Sequence, residues 1–441
     1  MAGIFKAYDI RGIYGEDLTE EIAYKIGRAY ATFTGARKIA VGRDIRPHSE
    51  PLFAAFAKGV AEQGCDVIDL GHTSTPMSYF ANGSLKLDGS VMITASHNPA
   101  PWNGFKLCRA DAVPISGATG IADIERIVNE ESFAPAAAVP GKIEQLDILP
   151  AYIKHIRPFE RMGRKLKIAV DFANGMGIWE AKTLEGGNLE WDSLYEQPDG
   201  SFPNHEANPL KTDTLDELRA LVKKGGYDFG VAFDGDADRV GFVDEKGEII
   251  TMDLTTALIA QDVLSERKGV IFHDLRSSKV VAEVISAAGG KPMMSRVGHA
   301  FIKAQMREND ALFAGELSGH YYFKDNYTTE SSAMAVLAVA NTLSRSDKTL
   351  SELIAPLRKY SSSGEINSRV EKDPREILEL LKQRYSDGHV FELDGVSVEY
   401  ADWWFNVRCS NTEPLVRLNL EADTPELMAQ KRDEVLSLIR S

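Results

Sequence analysis

Four short polar stretches hold most of the side chains with chemistry to offer, and each follows an apolar run. The first, Thr94-Ala95-Ser96-His97-Asn98-Pro99, ends Val91-Met92-Ile93, which reads as a buried strand. A hydroxyl on a short side chain at the end of a rigid strand can be presented to a phosphate, which makes Ser96 a candidate nucleophile; the same residue types also build an ordinary turn. The second, Asp234-Gly235-Asp236-Ala237-Asp238-Arg239, follows Gly230-Val231-Ala232-Phe233. Carboxylates at alternate positions repel one another unless a cation lies between them, and oxygen-only ligands select a hard ion such as Mg²⁺ or Ca²⁺. Gly235 and Ala237 are small spacers that let a backbone fold around an ion. An EF-hand loop is excluded, because its sixth position needs glycine where this chain has Arg239, and the flanks read as strands.

The third stretch, Gly315-Glu316-Leu317-Ser318-Gly319-His320, follows Leu312-Phe313-Ala314. Glu316 and Ser318 could bond neighbouring sugar hydroxyls, and His320 is suited to proton transfer. The fourth, Arg408-Cys409-Ser410-Asn411-Thr412-Glu413-Pro414, combines the Arg408 guanidinium with Ser410, Asn411, Thr412 and turn N–H groups, a phosphate cradle without any P-loop signature. Taken singly, either stretch is equally well a polar turn between strands. Smaller pieces complete the set. Tyr8-Asp9-Ile10-Arg11-Gly12 offers Arg11, and Asn103-Gly104-Phe105-Lys106 puts an amine a short way beyond Ser96. Desolvated beside a cation, Lys106 would become a base. Arg276 and the pair Gly298-His299 follow later strands and could meet a phosphate.

Something must position these groups. At 441 residues the chain exceeds a single hydrophobic core, which stops growing near roughly 250–300 residues, so three or four domains are expected. Fifty Lys and Arg face 65 Asp and Glu, a net charge of -15, which disfavours nucleic acid as a partner. A small anionic substrate then requires a local cluster of cations that outweighs the global field. Cys65, Cys108 and Cys409 are too few and too scattered for a disulfide framework or a zinc knuckle. Residues 1–12 lack the apolar core of a signal peptide, and the longest apolar stretch, Ala333 to Ala340, is far below the ~20 residues of a membrane helix. A cytoplasmic protein that avoids membranes is expected.

Three segments repeat one theme: Lys38 to Asp44, Lys167 to Asp171 and Val270 to Asp274 are aliphatic runs that end in aspartate, each followed by a loop and a helix-like stretch. Strands alternating with helices predict parallel sheets covered by helices, and hence α/β domains of similar construction. Ala134 to Gly141 reads as a first linker, Glu248 to Asp253 as a second boundary and Ser361 to Gly364 as a third. The expected domains are 1–141, 142–250, 251–362 and a smaller α+β module at 363–441. In Val416 to Leu420 the apolar and polar residues alternate, which predicts a strand with one packed and one wet face.

In their order and spacing, TASHNP at 94–99, DGDADR at 234–239, GELSGH at 315–320 and RCSNTEP at 408–414 resemble the α-D-phosphohexomutase superfamily, in its phosphomannomutase/phosphoglucomutase branch, over essentially the whole chain. The resemblance implies an α/β protein of four domains around a central cleft: three similar α/β domains with mixed sheets and a smaller C-terminal α+β domain. It implies an enzyme that carries Ser96 as phosphoserine and Mg²⁺ on Asp234, Asp236, Asp238 and a phosphoryl oxygen on Ser96. Phosphate would move between O1 and O6 of glucose or mannose phosphates through a hexose 1,6-bisphosphate. By the same carry-over Arg11 lies beside the transferring group, and Lys106 and His320 are the acid and base in an order left open. Glu316 and Ser318 read the sugar, and Arg408, Ser410, Asn411 and Thr412 hold the non-reacting phosphate. Tyr8, His97, Arg239, Arg276 and His299 fall at positions resembling those near metal or ligand.

Two departures bear on sugar preference: no Asp-Gly follows the third stretch, and Trp102 stands where tyrosine is common. Leu317 resembles the mannose/glucose branch, where methionine is usual. The rival readings are a glucosamine-phosphate mutase, a metal-dependent sugar phosphatase in which Ser96 is only a turn residue, and a non-catalytic sugar-phosphate sensor. Small hexose phosphates are the expected partners, and monomer or dimer stays open.

Overall fold

The computed structural model describes residues 3–409 and 415–440. Strands are numbered along the chain. The first sheet runs β1 (Ile10–Ile13), β5 (Trp102–Arg109), β4 (Gly89–Ile93), β2 (Lys38–Arg43), β3 (Asp66–His72), β6 (Ile143–Gln145). The second runs β11 (Ile249–Ile250), β10 (Val240–Asp244), β9 (Phe229–Phe233), β7 (Leu166–Asp171), β8 (Leu189–Leu194). The third runs β13 (Lys291–Ser295), β12 (Val270–Asp274), β14 (Phe313–Gly315), β15 (Tyr321–Phe323), β16 (Thr329–Glu330). The fourth runs β17 (Ser361–Arg369), β21 (Leu415–Ala422), β20 (Trp403–Cys409), β19 (Val396–Glu399), β18 (His389–Phe391) and is antiparallel throughout.

The first three sheets follow one plan. The aspartate-ended runs are β2, β7 and β12, and each pairs in parallel with a strand on either side. One of those neighbours, β4, β9 or β14, then turns back into an antiparallel partner, β5, β10 or β15. Every residue of β4 and of β9 is buried, so both faces are covered and both strands read as continuous apolar runs. The turn after each holds a polar stretch singled out above, so three equivalent turns carry Ser96, the aspartates and Glu316. Helices on the sheet faces start at side-chain caps: Thr19 for Glu20–Thr34, Ser278 for Lys279–Ala287 and Ser331 for Ser332–Ser344. Among the described residues no helix is long and apolar enough to cross a membrane.

The structure departs from expectation at three places. Beyond the expected first boundary at 141, β6 adds a parallel strand to the edge of the first sheet through β3. Residues 361–364 form the start of β17, because their backbone pairs with β21. The alternation in β21 is present, but Asn419 and Glu421 are buried rather than wet. Glu421 accepts a hydrogen bond from the Lys279 N–H at 3.0 Å, so that face is covered by domain III.

Candidate active site

The turn after β4 is held by one buried side chain. Arg46, 1% exposed, donates to the carbonyls of Ser96 (3.0 Å), Asn98 (2.6 Å), Pro99 (2.8 Å), Ala100 (3.3 Å) and Trp102 (3.0 Å), and its Nε donates to Asp44 at 3.1 Å. Burial pulls the guanidinium pKa down, and Asp44 opposes the shift. A planar fork of donors that satisfies so many carbonyls rigidifies a turn that has no ladder of its own. Ser96 adopts a left-handed φ of 52°, a conformation that costs a non-glycine residue on the order of 1–3 kcal/mol and is kept only where the surroundings enforce it. Its Oγ donates to Asp234 Oδ2 at 2.7 Å and lies 3.3 Å from His97 Nδ1. Burial, with Arg239 and Arg11 nearby, drives the His97 pKa down to about 2, so this imidazole is neutral.

The turn after β9 closes on the serine turn. A Cβ at residue 235 would stand 2.3 Å from the Ser96 carbonyl oxygen, so only glycine permits the approach. Asp234, Asp236 and Asp238 are at most 2% exposed and bring one oxygen each within 4.8 Å of the others. Thr75 Oγ1 donates to Asp236 Oδ2 at 2.6 Å, Lys106 Nζ donates to the same oxygen at 2.7 Å, and Lys106 also bonds Asp238. Among the described residues Asp236 Oδ1 and Asp238 Oδ1 are buried and accept no hydrogen bond, the latter facing only His320 Nε2 at 3.3 Å. Unmatched lone pairs in a buried, oxygen-only cluster suit a hard divalent cation, so these residues fit Mg²⁺.

Burial and the neighbouring Asp236 and Asp238 push the Asp234 carboxyl well above the usual range. Asp238 is as buried, but Lys106 and His320 draw it well below that range. Burial disfavours the Lys106 charge too, yet Asp236 and Asp238 outweigh it and raise its pKa above the ordinary value. Lys106 was expected to become a base if desolvated beside a cation; the groups that it faces here are the carboxylates of Asp236 and Asp238, and its ammonium donates a hydrogen bond to each.

The turn after β14 supplies His320. Its Nδ1 pairs with Ser318 Oγ at 2.7 Å, while its Nε2 accepts from Arg239 Nε at 3.4 Å and lies 3.3 Å from Asp238 Oδ1. Glu316 is spent inside the protein: it accepts from the Gly298 N–H at 3.1 Å, from Ser318 Oγ at 3.3 Å and from the Tyr322 hydroxyl. Tyr8 joins domain I to domain III, its hydroxyl 3.4 Å from the Val297 carbonyl and its ring 5.4 Å from that of His299. Arg11 donates to the Ala95 carbonyl at 3.1 Å and to the Asn98 side chain, and is oriented by Asp9 at 2.7 Å.

A cleft of about 580 Å³ is lined by Tyr8, Arg11, Lys106, Asp238, Arg239, His299, His320 and Arg408, all expected from the sequence. Ser96, Asp234, Asp236 and Glu316 are buried beside that lining. Arg276 and Ser318 are not brought into this cleft; they line an adjoining cavity of about 820 Å³, because Asp274 and Glu365 hold the Arg276 guanidinium. Ser410, Asn411 and Thr412 lie outside the described residues. Seven Lys and Arg against four Asp and Glu line the cleft, so the local field favours anions in spite of the acidic chain.

Arg46, Thr75, Arg296, Glu330 and Arg417 were missed by sequence reasoning. For Arg46 a signal existed. Asp44-Ile45-Arg46 and Asp274-Leu275-Arg276 share spelling and place, and both arginine N–H groups donate to the aspartate two residues back, at 3.1 and 2.9 Å. The others carry no local mark.

Models of phosphoglucomutase/phosphomannomutase domains match this chain in succession: alpha/beta/alpha domain I at 2–135, domain II at 150–247, domain III at 251–360 and the C-terminal domain at 365–438. A phosphomannomutase of Escherichia coli K12 is 41% identical over 97% of each chain. One of Methanocaldococcus jannaschii is 42% identical, covering 99% of this chain and 97% of its own. The crystal structure of a phosphoglucomutase/phosphomannomutase family protein from Burkholderia thailandensis, 33% identical, superposes with a TM-score of 0.91 over 99% of this chain and 96% of that one. Three mixed sheets whose turns converge, with an antiparallel fourth sheet, thus define an α-D-phosphohexomutase, an isomerase that works by intramolecular phosphotransfer. Within that superfamily the chain belongs to the phosphoglucomutase/phosphomannomutase family.

Proposed function

We propose that the protein moves phosphate reversibly between O1 and O6 of mannose and glucose phosphates, with Ser96 carrying the migrating group. The observation behind this reading is the 2.7 Å contact of Ser96 Oγ with Asp234, where the domain I and domain II turns meet beside a cationic cleft. Phosphoryl transfer asks a protein mainly for positioning and for neutralisation of charge. Asp234, Asp236 and Asp238 would hold Mg²⁺, which supplies charge neutralisation at the seryl phosphate.

In the forward half-reaction a hydroxyl of the bound monophosphate attacks the phosphorus of phospho-Ser96, and the bond to Oγ breaks. His320, set by Ser318 at its Nδ1 and by Arg239 at its Nε2, takes the proton of the attacking hydroxyl. Lys106, held charged by two aspartates, donates to Oγ as it leaves. Arg11 braces the serine turn, and Arg239 fixes His320. The resulting hexose 1,6-bisphosphate turns in the cleft, Ser96 Oγ attacks the other phosphate, and a monophosphate leaves with its ester on the other hydroxyl. Arg408, with Ser410, Asn411 and Thr412, holds whichever phosphate is not reacting. Tyr8, His97, Arg276 and His299 shape the surrounding site, and Glu316 and Ser318 exchange their internal bonds for sugar hydroxyls.

Peptide mass analysis of the purified protein tests this. One phosphoryl group is expected on the Ser96 peptide, transferable to added mannose 1-phosphate or glucose 1-phosphate. Ser96→Ala should abolish both phosphorylation and turnover, and full activity in that variant would overturn the reading. Stoichiometric release of inorganic phosphate would instead favour a phosphatase, and preference for glucosamine 6-phosphate the glucosamine-phosphate mutase.

A further inference from the structure

At the boundary of domains III and IV three arginines share the carboxylate of Glu365. Its Oε2 accepts from Arg408 and lies 3.3 Å from Arg276 Nη1, and its Oε1 lies 3.8 Å from Arg417 Nη1. A local irregularity aims it there. One extra residue of β17 is inserted between Ser362 and Glu365 relative to β21, with Gly364 at φ 63°, and such bulges redirect the side chain that follows. Arg276 is anchored in domain III by Asp274, which also accepts from the Leu317 N–H at 3.3 Å, so Glu365 joins the sugar turn of domain III to the arginines of domain IV.

This cluster is short of acceptors. Arg408 is 7% exposed and lines the cleft, yet its Nε has no hydrogen-bond partner among the described residues, and neither has the buried Nε of Arg417. A single carboxylate therefore leaves donors unmatched that a phosphate, with more oxygens and more charge, would take up. Glu365 lies on the far side of the arginines: it and Arg276 line the adjoining cavity, whereas Arg408 and Arg417 line the cleft.

We propose that Glu365 is an internal stand-in for the non-reacting phosphate, holding Arg408 and Arg417 in place before substrate enters and competing with the phosphate once it is bound. The proposal rests on the reading of Arg408 as a phosphate-binding residue. Competition weakens binding, and it also loosens the bisphosphate, which must release its grip on domain IV in every cycle to turn around. Glu365 is thus a positioning residue that trades affinity for turnover.

Glu365→Gln keeps the shape and one acceptor but removes the charge. Calorimetric titration at fixed ionic strength should show glucose 1-phosphate and inorganic phosphate each binding about fivefold tighter than to the unaltered enzyme, the scale of one partly exposed ion pair. In the mutase assay KM and kcat should fall together. A merely structural role predicts the opposite sign, so unchanged or weaker binding overturns the proposal. Glu365→Ala is the second variant, expected to tighten binding as well; if neither variant folds, the carboxylate is structural and the proposal fails. Should the unaltered enzyme bind phosphate but isomerise nothing, the proposed function falls, while the affinity comparison still decides the role of Glu365.

Discussion

One apolar cluster runs through domains I, II and III, beside smaller clusters within each, whereas the cluster of domain IV joins no other domain. Leu70, Met77 and Phe80 of domain I pack in one continuous cluster with Tyr152, with Ile168 and Phe229 of domain II and with Phe313 and Val336 of domain III. Leu381, Phe405, Leu418 and Ile439 form a separate cluster drawn from domain IV alone. The bonds described above between domains III and IV are polar, from Arg276 to Glu365 and from Lys279 to Glu421, joined by one from the Val297 N–H to Asp394 at 3.2 Å. Apolar burial welds, since every apolar Å² exposed costs about 25 cal/mol, while a partly exposed ion pair such as Arg276–Glu365 contributes about 0–1 kcal/mol and a single hydrogen bond about as much. The difference assigns two tasks. Ser96, the aspartates and His320 sit on the welded body, where phosphoryl transfer needs fixed geometry. Arg408, proposed above to hold the non-reacting phosphate, sits on the separable piece, which would suit an intermediate that has to turn.

The largest expected effect lies on the body. Asp236→Asn should lower kcat by about 10²- to 10³-fold and weaken Mg²⁺ binding by calorimetry, leaving the phosphate affinity of domain IV unchanged. Equal activity in that variant would remove the aspartate turn from the chemistry.

Core truncations separate the two regions by stability. Phe80→Ala should cost about 3–5 kcal/mol and raise amide exchange across domains I to III together, while Leu418→Ala should cost about 2–5 kcal/mol and expose domain IV alone. One common transition for both variants would break the comparison.

The weld also has a pH signature. Glu180, fully buried, accepts from Ser74 of domain I, from the Tyr152 hydroxyl at 3.0 Å and from the Ala333 N–H of domain III at 3.1 Å. Burial outweighs those bonds and raises its pKa from the ordinary 4.5 to about 7. The native state therefore binds the proton more tightly than the unfolded chain. Stability should fall as pH rises from about 4.5 to about 7 and level off above, by roughly 3 kcal/mol. Glu180→Gln should flatten that slope in denaturant titrations, and an unchanged slope would dissociate Glu180 from it.

The smallest effect is expected at the boundary. Asp394→Asn should change stability by less than about 1 kcal/mol and show itself only as faster exchange of the Val297 N–H.

Much of the site was legible because it is local. The runs ahead of Ser96, Asp234 and Glu316 are apolar because β4, β9 and β14 are buried, and their abrupt polar ends mark the turns. What could not be read depends on partners far along the chain. Arg46 bonds carbonyls 50 to 56 residues away, and a carbonyl leaves no trace in side-chain spelling. Arg276 was assigned to ligand on its position, yet a bulge in another domain turns Glu365 toward it.

By itself the amino-acid sequence determined where the strands run, where they break and which functional groups stand at the breaks, since burial of apolar side chains and the chemistry of turns act over a few residues. Only the tertiary structure decided what those groups are. Lys106 is a charged donor because Asp236 lies 130 residues on and 2.7 Å away, and the electrostatics that settle a protonation state follow distance in space, not in sequence.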